Sequence, residues 1–193
     1  RLARRQAVPV LPGRDAWLPW CSPDPRAVLV PGMLSVPRSL RRRLRTCGWR
    51  TTVDTAFPEV VAGCADRSET WITGRMQQAY AELHATGGAS SLEVWDGDRL
   101  VGGLYGVRTG AVFSGESMFS RTSDASKVAL VDLVDRLREG GFALLDTQQA
   151  SEHLARLGQA VVSRREYVRA VHLLRDLPAE LPLGERLVDR LAG

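Results

Sequence analysis

The chain contains 193 residues, 44% of them hydrophobic, and its formal net charge is +4. A chain of this length buries one good core, so we expect one domain, or one domain with an appendage. Its apolar runs are far shorter than the ~20 residues of a membrane-spanning helix, and the arginine-rich start lacks the apolar centre of a signal peptide. The cysteines are three in number, Cys21, Cys47 and Cys64, and they lack the spacing of metal ligands. This predicts reduced thiols and a cytoplasmic protein.

The charge is unevenly distributed along the chain. Residues 1–50 contain 11 arginines against two aspartates and carry +9, whereas residues 51–193 carry −5. A basic N-terminal region followed by a mildly acidic remainder indicates that a polyanion binds to one part of the molecule. A solvated arginine-rich face is the alternative, and it stays open because Lys127 is the one lysine among 26 basic residues, a bias typical of genome composition.

The elements before residue 70 are predicted to be short. Five prolines make residues 1–25 an irregular segment. Residues 35–46 have a proline near the start and two leucines one turn apart among arginines, which favours a helix with the leucines facing inward. A short strand is expected at Arg50–Val53 and a short helix at residues 57–64.

The remaining elements have clearer signals. A helical period begins at Thr73, and the helix ends at a pair of glycines. Turn residues separate the next three strand patterns, which predicts an antiparallel meander. A long helix capped by Ser123 or Asp124 follows, and then a buried strand and two further helices. The predicted bounds are 91–95, 100–107 and 111–117 for the meander, 142–145 for the strand, and 152–157 and 164–174 for the helices, after which the tail from residue 178 either packs back or frays.

Two apolar stretches each contain a carboxylate without a local charge partner. Glu116 lies among glycine, serine and large apolar residues, and Asp146 ends a second apolar run, with Gln148 two residues later. Strand cores avoid this arrangement unless something binds there. We therefore interpret the stretches as neighbouring strands that share one site. Asp146 and Gln148 are expected on one strand face, since positions i and i+2 point the same way.

Other chemistries have little support in the sequence. The three histidines are scattered and lack the paired spacing of a zinc site. A phenylalanine at position 119 replaces the second glycine of a nucleophile elbow, which argues against serine hydrolysis. Gly102, Gly103 and Gly106 are more typical of a bulge than of a ligand-binding loop. No pyrophosphate-binding loop precedes a helix, which disfavours an enzyme that uses acetyl-CoA.

Many short motifs occur together, in one order, from about residue 20 to residue 170. So many motifs in register are far more specific than a single pattern. With them the chain resembles the bacterial leucyl/phenylalanyl-tRNA-protein transferases. The motifs are 22–29 (SPDPRAVL), 38–40 (RSL), 70–73 (TWIT), 93–95 (EVW), 100–107 (LVGGLYGV), 115–121 (GESMFSR), 125–127 (ASK), 146–148 (DTQ), 153–154 (HL) and 157–158 (LG).

The resemblance implies an aminoacyltransferase that moves Leu or Phe from aminoacyl-tRNA to the α-amino group of a protein beginning with Arg or Lys, which tags that protein for N-end rule degradation. It also implies the fold that the element order predicts. This is an α+β, Gcn5-related N-acetyltransferase-like acyltransferase fold with a mixed, largely antiparallel sheet flanked by helices. Residues 26–193 would be the catalytic domain, and residues 1–25 a remnant of the family's N-terminal domain in a shortened member. We expect a cytoplasmic monomer without cofactor, metal or membrane partner.

Three polar residues are predicted to carry the reaction. The Gln148 side-chain oxygen would accept a hydrogen bond from the attacking amine, and Asp146 would orient that amide. Glu116 would hold the cationic acceptor terminus through charge-assisted hydrogen bonds. The alternatives are a structural pairing of Glu116 with Arg121 or Lys127, and loop capping by Asp146 and Gln148.

Leu and Phe specificity requires a deep apolar pocket. Positions matched to the family predict that its wall contains Leu104, Phe113, Met118, Leu133, Leu137 and Leu145. Trp71 is expected to stack on the terminal adenine, with a core tryptophan as the alternative. Arg38, Arg41, Arg42 and Arg45, together with Lys127, are predicted to contact tRNA phosphates.

Two other functions stay open. A relative of this family could modify a small amine, which trials with protein and small-amine acceptors would separate. A catalytically impaired tRNA-binding module is a different class of protein. Binding of charged tRNA without turnover would indicate that module.

Overall fold

The computed structural model describes Val8–Pro9 and residues 20–193, with side chains from residue 22 onward. Val8–Pro9 (β1) and Trp20–Cys21 (β2) pair as a small antiparallel sheet. The rest of the predicted irregular segment before residue 20 lies outside the described residues. The interpretation of residues 1–25 as a domain remnant therefore stays a prediction.

A second sheet is the centre of the described part of the chain. Its strands are β3 (Arg26–Leu29), β4 (Arg50–Val53), β5 (Ala89–Asp96), β6 (Arg99–Thr109), β7 (Val112–Ser120), β8 (Leu144–Gln148), β9 (Ala160–Val162) and β10 (Arg186–Leu187). These eight strands lie in the order β10-β4-β5-β6-β7-β8-β3-β9. The β7–β8 pair is parallel and the other neighbouring pairs are antiparallel. The prediction of a mixed, largely antiparallel sheet is confirmed.

Helices cover both faces of this sheet. They are α1 (Arg38–Thr46), α2 (Phe57–Ala65), α3 (Gly74–Ala85), α4 (Ala125–Glu139), α5 (Glu152–Ala155) and α6 (Arg164–Leu174), with 3₁₀ turns at Pro31–Met33 and Val188–Ala192. The main core joins α1 and α4 to one face, and a second apolar cluster joins α2 and α3 to the other. A third cluster packs α6 against β3, β7 and β8. The α+β class is therefore confirmed.

The chain forms most of the elements that its pattern predicts, including the meander of β5, β6 and β7. The strands β3, β9 and β10 were not predicted. All four residues of β3 are buried, so the strand has no alternation of polar and apolar residues. The C-terminal tail packs back: Val188 and Ala192 are buried in the main core.

Candidate active site

The site lies where two parallel strands separate. β7 and β8 pair only from Val112 with Leu144 to Ser114 with Asp146, although β7 continues to Ser120. The predicted neighbourhood of the two carboxylate-bearing strands is therefore confirmed. Beyond the last pair the strands no longer pair, and the Gln148 side chain bridges the gap between them.

A cavity of about 270 Å³ opens at this gap. Four of the residues predicted for the apolar pocket lie in its wall, Leu104, Met118, Leu133 and Leu145, together with Trp71, which was predicted to contact the terminal adenine. Glu116 and Gln148 are in the same wall, so the cavity brings together apolar and polar candidates. The other wall residues, which were not predicted, are Arg67, Gly115, Ser117, Leu130, Thr147 and Leu154.

Phe113 and Leu137 do not line this cavity, so the structure does not bring them together with the other residues predicted for the pocket. Both side chains are fully buried in the main core. The Phe113 ring packs edge to face on Phe142, with 6.4 Å between ring centroids. The ring also packs closely against Gly106, where an added Cβ would clash with it. These neighbours hold Phe113 in the core.

A β-bulge places Glu116 in the wall. Tyr105 pairs with Ser117 and Gly106 pairs with Gly115, so Glu116 is an extra residue without a partner on β6. This location agrees with the bulge that the glycines of β6 predicted. The Tyr80 hydroxyl donates a hydrogen bond to Glu116 Oε2 at 2.9 Å.

Burial raises the pKa of Glu116 to about 7, and the neighbouring Asp146 charge adds to this effect. Hydrogen bonds from Tyr80 and Gln148 oppose the rise. The alternative of an ion pair with Arg121 or Lys127 is wrong: Arg121 donates to the Leu100 carbonyl, and Lys127 pairs with Asp124 at 2.6 Å. Glu116 is thus a carboxyl group whose charge changes near neutral pH.

Gln148 also lies at a distortion of its strand. Ala27 on β3 pairs with Gln148 and Val28 pairs with Asp146, which leaves Thr147 as the extra residue of a second bulge. Gln148 adopts a left-handed backbone with φ +66. Its side-chain Nε2 donates to the Gly115 carbonyl at 2.9 Å, where the two strands have separated.

Asp146 and Gln148 do not share a strand face, so that prediction is wrong. The bulge at Thr147 and the left-handed backbone of Gln148 break the i, i+2 rule. Asp146 is fully buried and accepts two hydrogen bonds from Arg26, at 3.0 and 2.7 Å. It contacts Gln148 through the backbone N–H, at 2.9 Å from Oδ1, rather than through the side-chain amide.

Trp71 and Arg67 come from the loop that joins α2 and α3. Trp71 is partly buried, packs against the second apolar cluster and also lines the cavity, and its stacking on the terminal adenine stays a prediction. Arg67 Nη2 donates to the Ser117 hydroxyl at 3.1 Å and to the Met118 carbonyl at 2.6 Å. These hydrogen bonds tie the loop to β7 beside Glu116.

The arginines predicted to contact tRNA lie on α1 but differ in their surroundings. Arg38 and Arg42 are exposed. Arg41 donates to the Val36 and Gly193 carbonyls, at 3.1 and 2.5 Å, and Arg45 donates to the Ala192 carbonyl at 3.1 Å. Arg41 and Arg45 therefore also bind the C-terminal segment to α1, a role that the sequence did not indicate.

Besides the unpredicted wall residues, sequence reasoning missed three polar side chains that bond to Asp146 or Glu116: Arg26, Tyr80 and Tyr167. Arg26 belongs to one of the family motifs, and that was the available signal. Tyr80 lies on the helix that the period from Thr73 predicted, but that period assigned it no role in a site. Within residues 22–193 no group of three or more His, Cys, Asp or Glu side chains is arranged to hold a metal ion. Every helix in this range falls short of the length and apolarity that a membrane span requires.

Comparison with known proteins identifies the class and the family. Residues 28–172 match the family model described as leucyl/phenylalanyl-tRNA protein transferase. The leucyl/phenylalanyl-tRNA–protein transferase of Stutzerimonas stutzeri (strain A1501) is 51% identical over 164 residues, which are 83% of this chain and 73% of the relative. The enzyme of the same name from Anaeromyxobacter sp. (strain K) is 49% identical over 175 residues, 87% of this chain and 75% of the relative. The protein is thus an enzyme of the aminoacyltransferase class. It belongs to the leucyl/phenylalanyl-tRNA protein transferase family.

A solved structure shares the fold. It is a conserved protein of unknown function from Bacteroides thetaiotaomicron VPI-5482, with a TM-score of 0.50 and 14% sequence identity. The match covers 84% of this chain and 58% of that chain, so this chain spans little more than half of the solved protein. At this identity the match speaks for the arrangement of helices and strands alone.

Proposed function

We propose that this protein transfers Leu or Phe from aminoacyl-tRNA to the α-amino group of proteins that begin with Arg or Lys. The product would be a tagged protein for N-end rule degradation. The observation that carries the proposal is one cavity in which apolar side chains and the two polar side chains Glu116 and Gln148 form a single wall. Such a wall suits an apolar aminoacyl group and a cationic amine side by side.

The donor would place its amino-acid side chain among Leu104, Met118, Leu133 and Leu145. These residues offer contacts to an apolar side chain and no hydrogen-bonding group, so Leu and Phe are favoured over polar amino acids. Trp71, in the same wall, offers an aromatic face to the terminal adenine. Base stacking of this kind is worth ~1 to 3 kcal/mol.

The acceptor would approach Glu116. A carboxylate forms charge-assisted hydrogen bonds with a guanidinium or an ammonium group, which selects an N-terminal Arg or Lys. Because Tyr80 already donates to Oε2, the other oxygen of Glu116 would be the one that meets the acceptor side chain. The α-amino group of the acceptor would then lie near Gln148.

Transfer forms the new C–N bond and breaks the ester C–O bond between the amino acid and the ribose. The proton that leaves the attacking nitrogen goes to the departing ribose oxygen. An α-amino group titrates near ~8, so a useful neutral fraction exists at pH 7 and no strong base is needed. Gln148 would orient the neutral amine by accepting a hydrogen bond from it, and positioning supplies most of the rate.

The exposed arginines of α1 would bind phosphates of the tRNA acceptor stem without reading its sequence. The proposal also includes the Gcn5-related N-acetyltransferase-like fold. The meander of β5, β6 and β7, followed by α4 and the parallel strand β8, supports this assignment. Residues 26–193 would then be the catalytic domain.

The experiment is transfer of labelled leucine from tRNA to a peptide that starts with Arg. We expect transfer by the wild type, and strongly reduced turnover with little change in tRNA affinity for Gln148→Ala. Gln78→Ala is the matched control, because Gln78 bonds only to Glu82 on the exposed side of α3 among the described residues. A peptide that starts with Gly should be a poor acceptor.

Other outcomes of this experiment select other functions. Transfer to a small amine but not to the peptide would indicate a small-molecule acceptor. Binding of leucyl-tRNA without any transfer would indicate a tRNA-binding module. Unaltered turnover in Gln148→Ala would remove the proposed role of this residue.

A further inference from the structure

The carboxylate of Asp146 is held by side-chain donors from two other elements, β3 and α6. Arg26 on β3 donates Nε to Oδ1 and Nη2 to Oδ2, at 3.0 and 2.7 Å. Tyr167 on α6 donates its hydroxyl to Oδ2 at 2.7 Å. Arg26 and Asp146 are fully buried, and Tyr167 is 2% exposed. The Arg26 guanidinium also lies over the Tyr167 ring, 4.7 Å from the centroid, which fixes the direction of the hydroxyl.

One further short hydrogen bond connects the Asp146 carboxylate to Gln148, a residue of the cavity wall. Oδ1 accepts the backbone N–H of Gln148 at 2.9 Å. Gln148 is not glycine, yet its φ is +66, a left-handed conformation that costs free energy and persists only when the surroundings impose it. The Asp146 carboxylate is the group that supplies such a constraint, because it holds the Gln148 N–H in that conformation.

We propose that Arg26 and Tyr167 are positioning residues for the transfer reaction. They fix Asp146, Asp146 fixes the left-handed backbone of Gln148, and this backbone directs the Gln148 amide into the cavity. The inference rests on the proposed function of Gln148. In this proposal Asp146 acts on Gln148 through the backbone N–H and does not polarise the side-chain amide directly.

Electrostatics also favour a positioning role over a purely stabilising one. A buried ion pair loses its hydration, and its net contribution to stability is often close to zero. The bidentate geometry, in contrast, fixes the carboxylate in direction as well as in position. Tyr167 acts on the same oxygen as Arg26 Nη2, so the two donors together define where Oδ2 lies.

The test is a double-mutant cycle between Tyr167 and Gln148. Tyr167→Phe removes one hydroxyl and keeps the ring. We expect kcat to fall about 10-fold to 100-fold, as small displacements of a reacting group do, while KM for charged tRNA and for the peptide stays unchanged. In the Gln148→Ala background, Tyr167→Phe should cause no further loss, because its effect passes through Gln148.

The control variant is Ser163→Ala, which removes the N-cap of the same helix. It should lower the melting temperature at least as much as Tyr167→Phe while leaving kcat near that of the wild type. Arg26→Lys keeps the positive charge but loses the bidentate geometry, and it should lower kcat more than Tyr167→Phe. A kcat of Tyr167→Phe equal to that of the wild type, or equal losses in both backgrounds, would overturn the proposal.

A spectroscopic measurement separates this inference from the proposed function. The backbone ¹H–¹⁵N resonance of Gln148 reports its hydrogen bond to Asp146, and it should move in Tyr167→Phe but not in Ser163→Ala. Absence of leucine transfer by the wild type would overturn the proposed function. The change in the Gln148 resonance on Tyr167→Phe would still decide whether Tyr167 positions Gln148. An unmoved Gln148 resonance in Tyr167→Phe would overturn the positioning role even in an active enzyme.

Discussion

The side-chain amide of Gln148 donates to the Gly115 carbonyl at 2.9 Å, across the gap where β7 and β8 have parted. In a continuous sheet a backbone N–H would satisfy this carbonyl, so the side chain replaces a missing partner. With the amide nitrogen engaged, its oxygen is the part of Gln148 that can accept a hydrogen bond from an amine. The same contact therefore bridges the two strands and fixes the direction of the side-chain oxygen on which the proposed function depends.

The stability of the protein should depend on the ionisation of Glu116. The folded state raises the pKa of this group from 4.5 to about 7, so the folded protein keeps a proton that the unfolded chain loses in this range. Its contribution to stability is full below pH 4.5 and is lost as pH rises through about 7. Urea unfolding should therefore show that Glu116→Gln gains stability relative to the wild type between about pH 5 and about pH 8. A difference that does not change with pH would contradict the raised pKa.

Acceptor binding should have the opposite dependence on pH. Only the ionised form of Glu116 attracts a cationic residue, so KM for a peptide starting with Arg should fall as pH rises through about 7. Glu116→Gln removes the titrating group and should give a KM that is high and nearly constant over this range. Initial rates of leucine transfer at a series of peptide concentrations measure it. A falling KM that persists in Glu116→Gln would assign the effect to another group.

Donor selectivity should respond to Leu133 but not to Leu137. Leu133 lies in the cavity wall, whereas Leu137 is buried in the main core behind it. Leu133→Ala enlarges the cavity and should raise the transfer of Phe relative to Leu. Leu137→Ala is the matched control, since each substitution should cost about 2 to 5 kcal/mol of unfolding free energy. Competition between Leu-tRNA and Phe-tRNA measures the ratio, and an equal change in both variants would argue against this cavity as the donor pocket.

Binding of tRNA should depend on salt through Arg38 and Arg42. Both are exposed on α1, and each phosphate contact contributes about 0.7 to 0.9 to the slope of log affinity against log salt. The variant Arg38→Ala with Arg42→Ala should raise the dissociation constant and flatten that slope by about 1 to 2. Arg99→Ala, at the exposed start of β6, is the control and should leave the slope unchanged. If the tRNA affinity of the wild type does not change with salt concentration, a phosphate-binding surface on α1 is excluded.

The C-terminal segment should be held by a buried ion-pair network. Asp132 and Arg136 on α4 are fully buried and paired at 2.8 Å, and Arg190 also pairs with Asp132. Asp132→Asn leaves these cations without their carboxylate and should cost about 3 to 5 kcal/mol of unfolding free energy. Asp96→Asn, which removes an exposed pair, should cost less than about 1 kcal/mol in the same urea titration. Equal losses would show that the buried network is dispensable.

The sequence predicted most of the fold because its signals are local. Turn residues marked the meander, and the helical period marked α3 and α4. The adjacency of the strands that carry Glu116 and Asp146 was also predictable, since both are apolar runs with an unpaired carboxylate. The parallel pairing of Ser114 with Asp146 confirms that adjacency.

The finer geometry of the site was predictable only in part, because the glycines of β6 indicated the bulge at Glu116 but nothing indicated the bulge at Thr147. Strand alternation predicts one face for Asp146 and Gln148, but the extra residue Thr147 and the left-handed Gln148 reverse that result. No local signal marks either feature, since Thr and Gln are ordinary strand residues. The contact between Arg26 and Asp146 joins residues 120 positions apart, which no local pattern can report.

The place of β3 between β8 and β9 has a consequence for biosynthesis. β3 is synthesised early, whereas its neighbours β8 and β9 are synthesised late. A nascent polypeptide therefore cannot complete the candidate active site while the ribosome still covers the segment that contains Tyr167. Contacts between residues this far apart in sequence form slowly, because closing a long loop costs entropy, so the pairing of β3 with β8 and β9 should be a late step in folding.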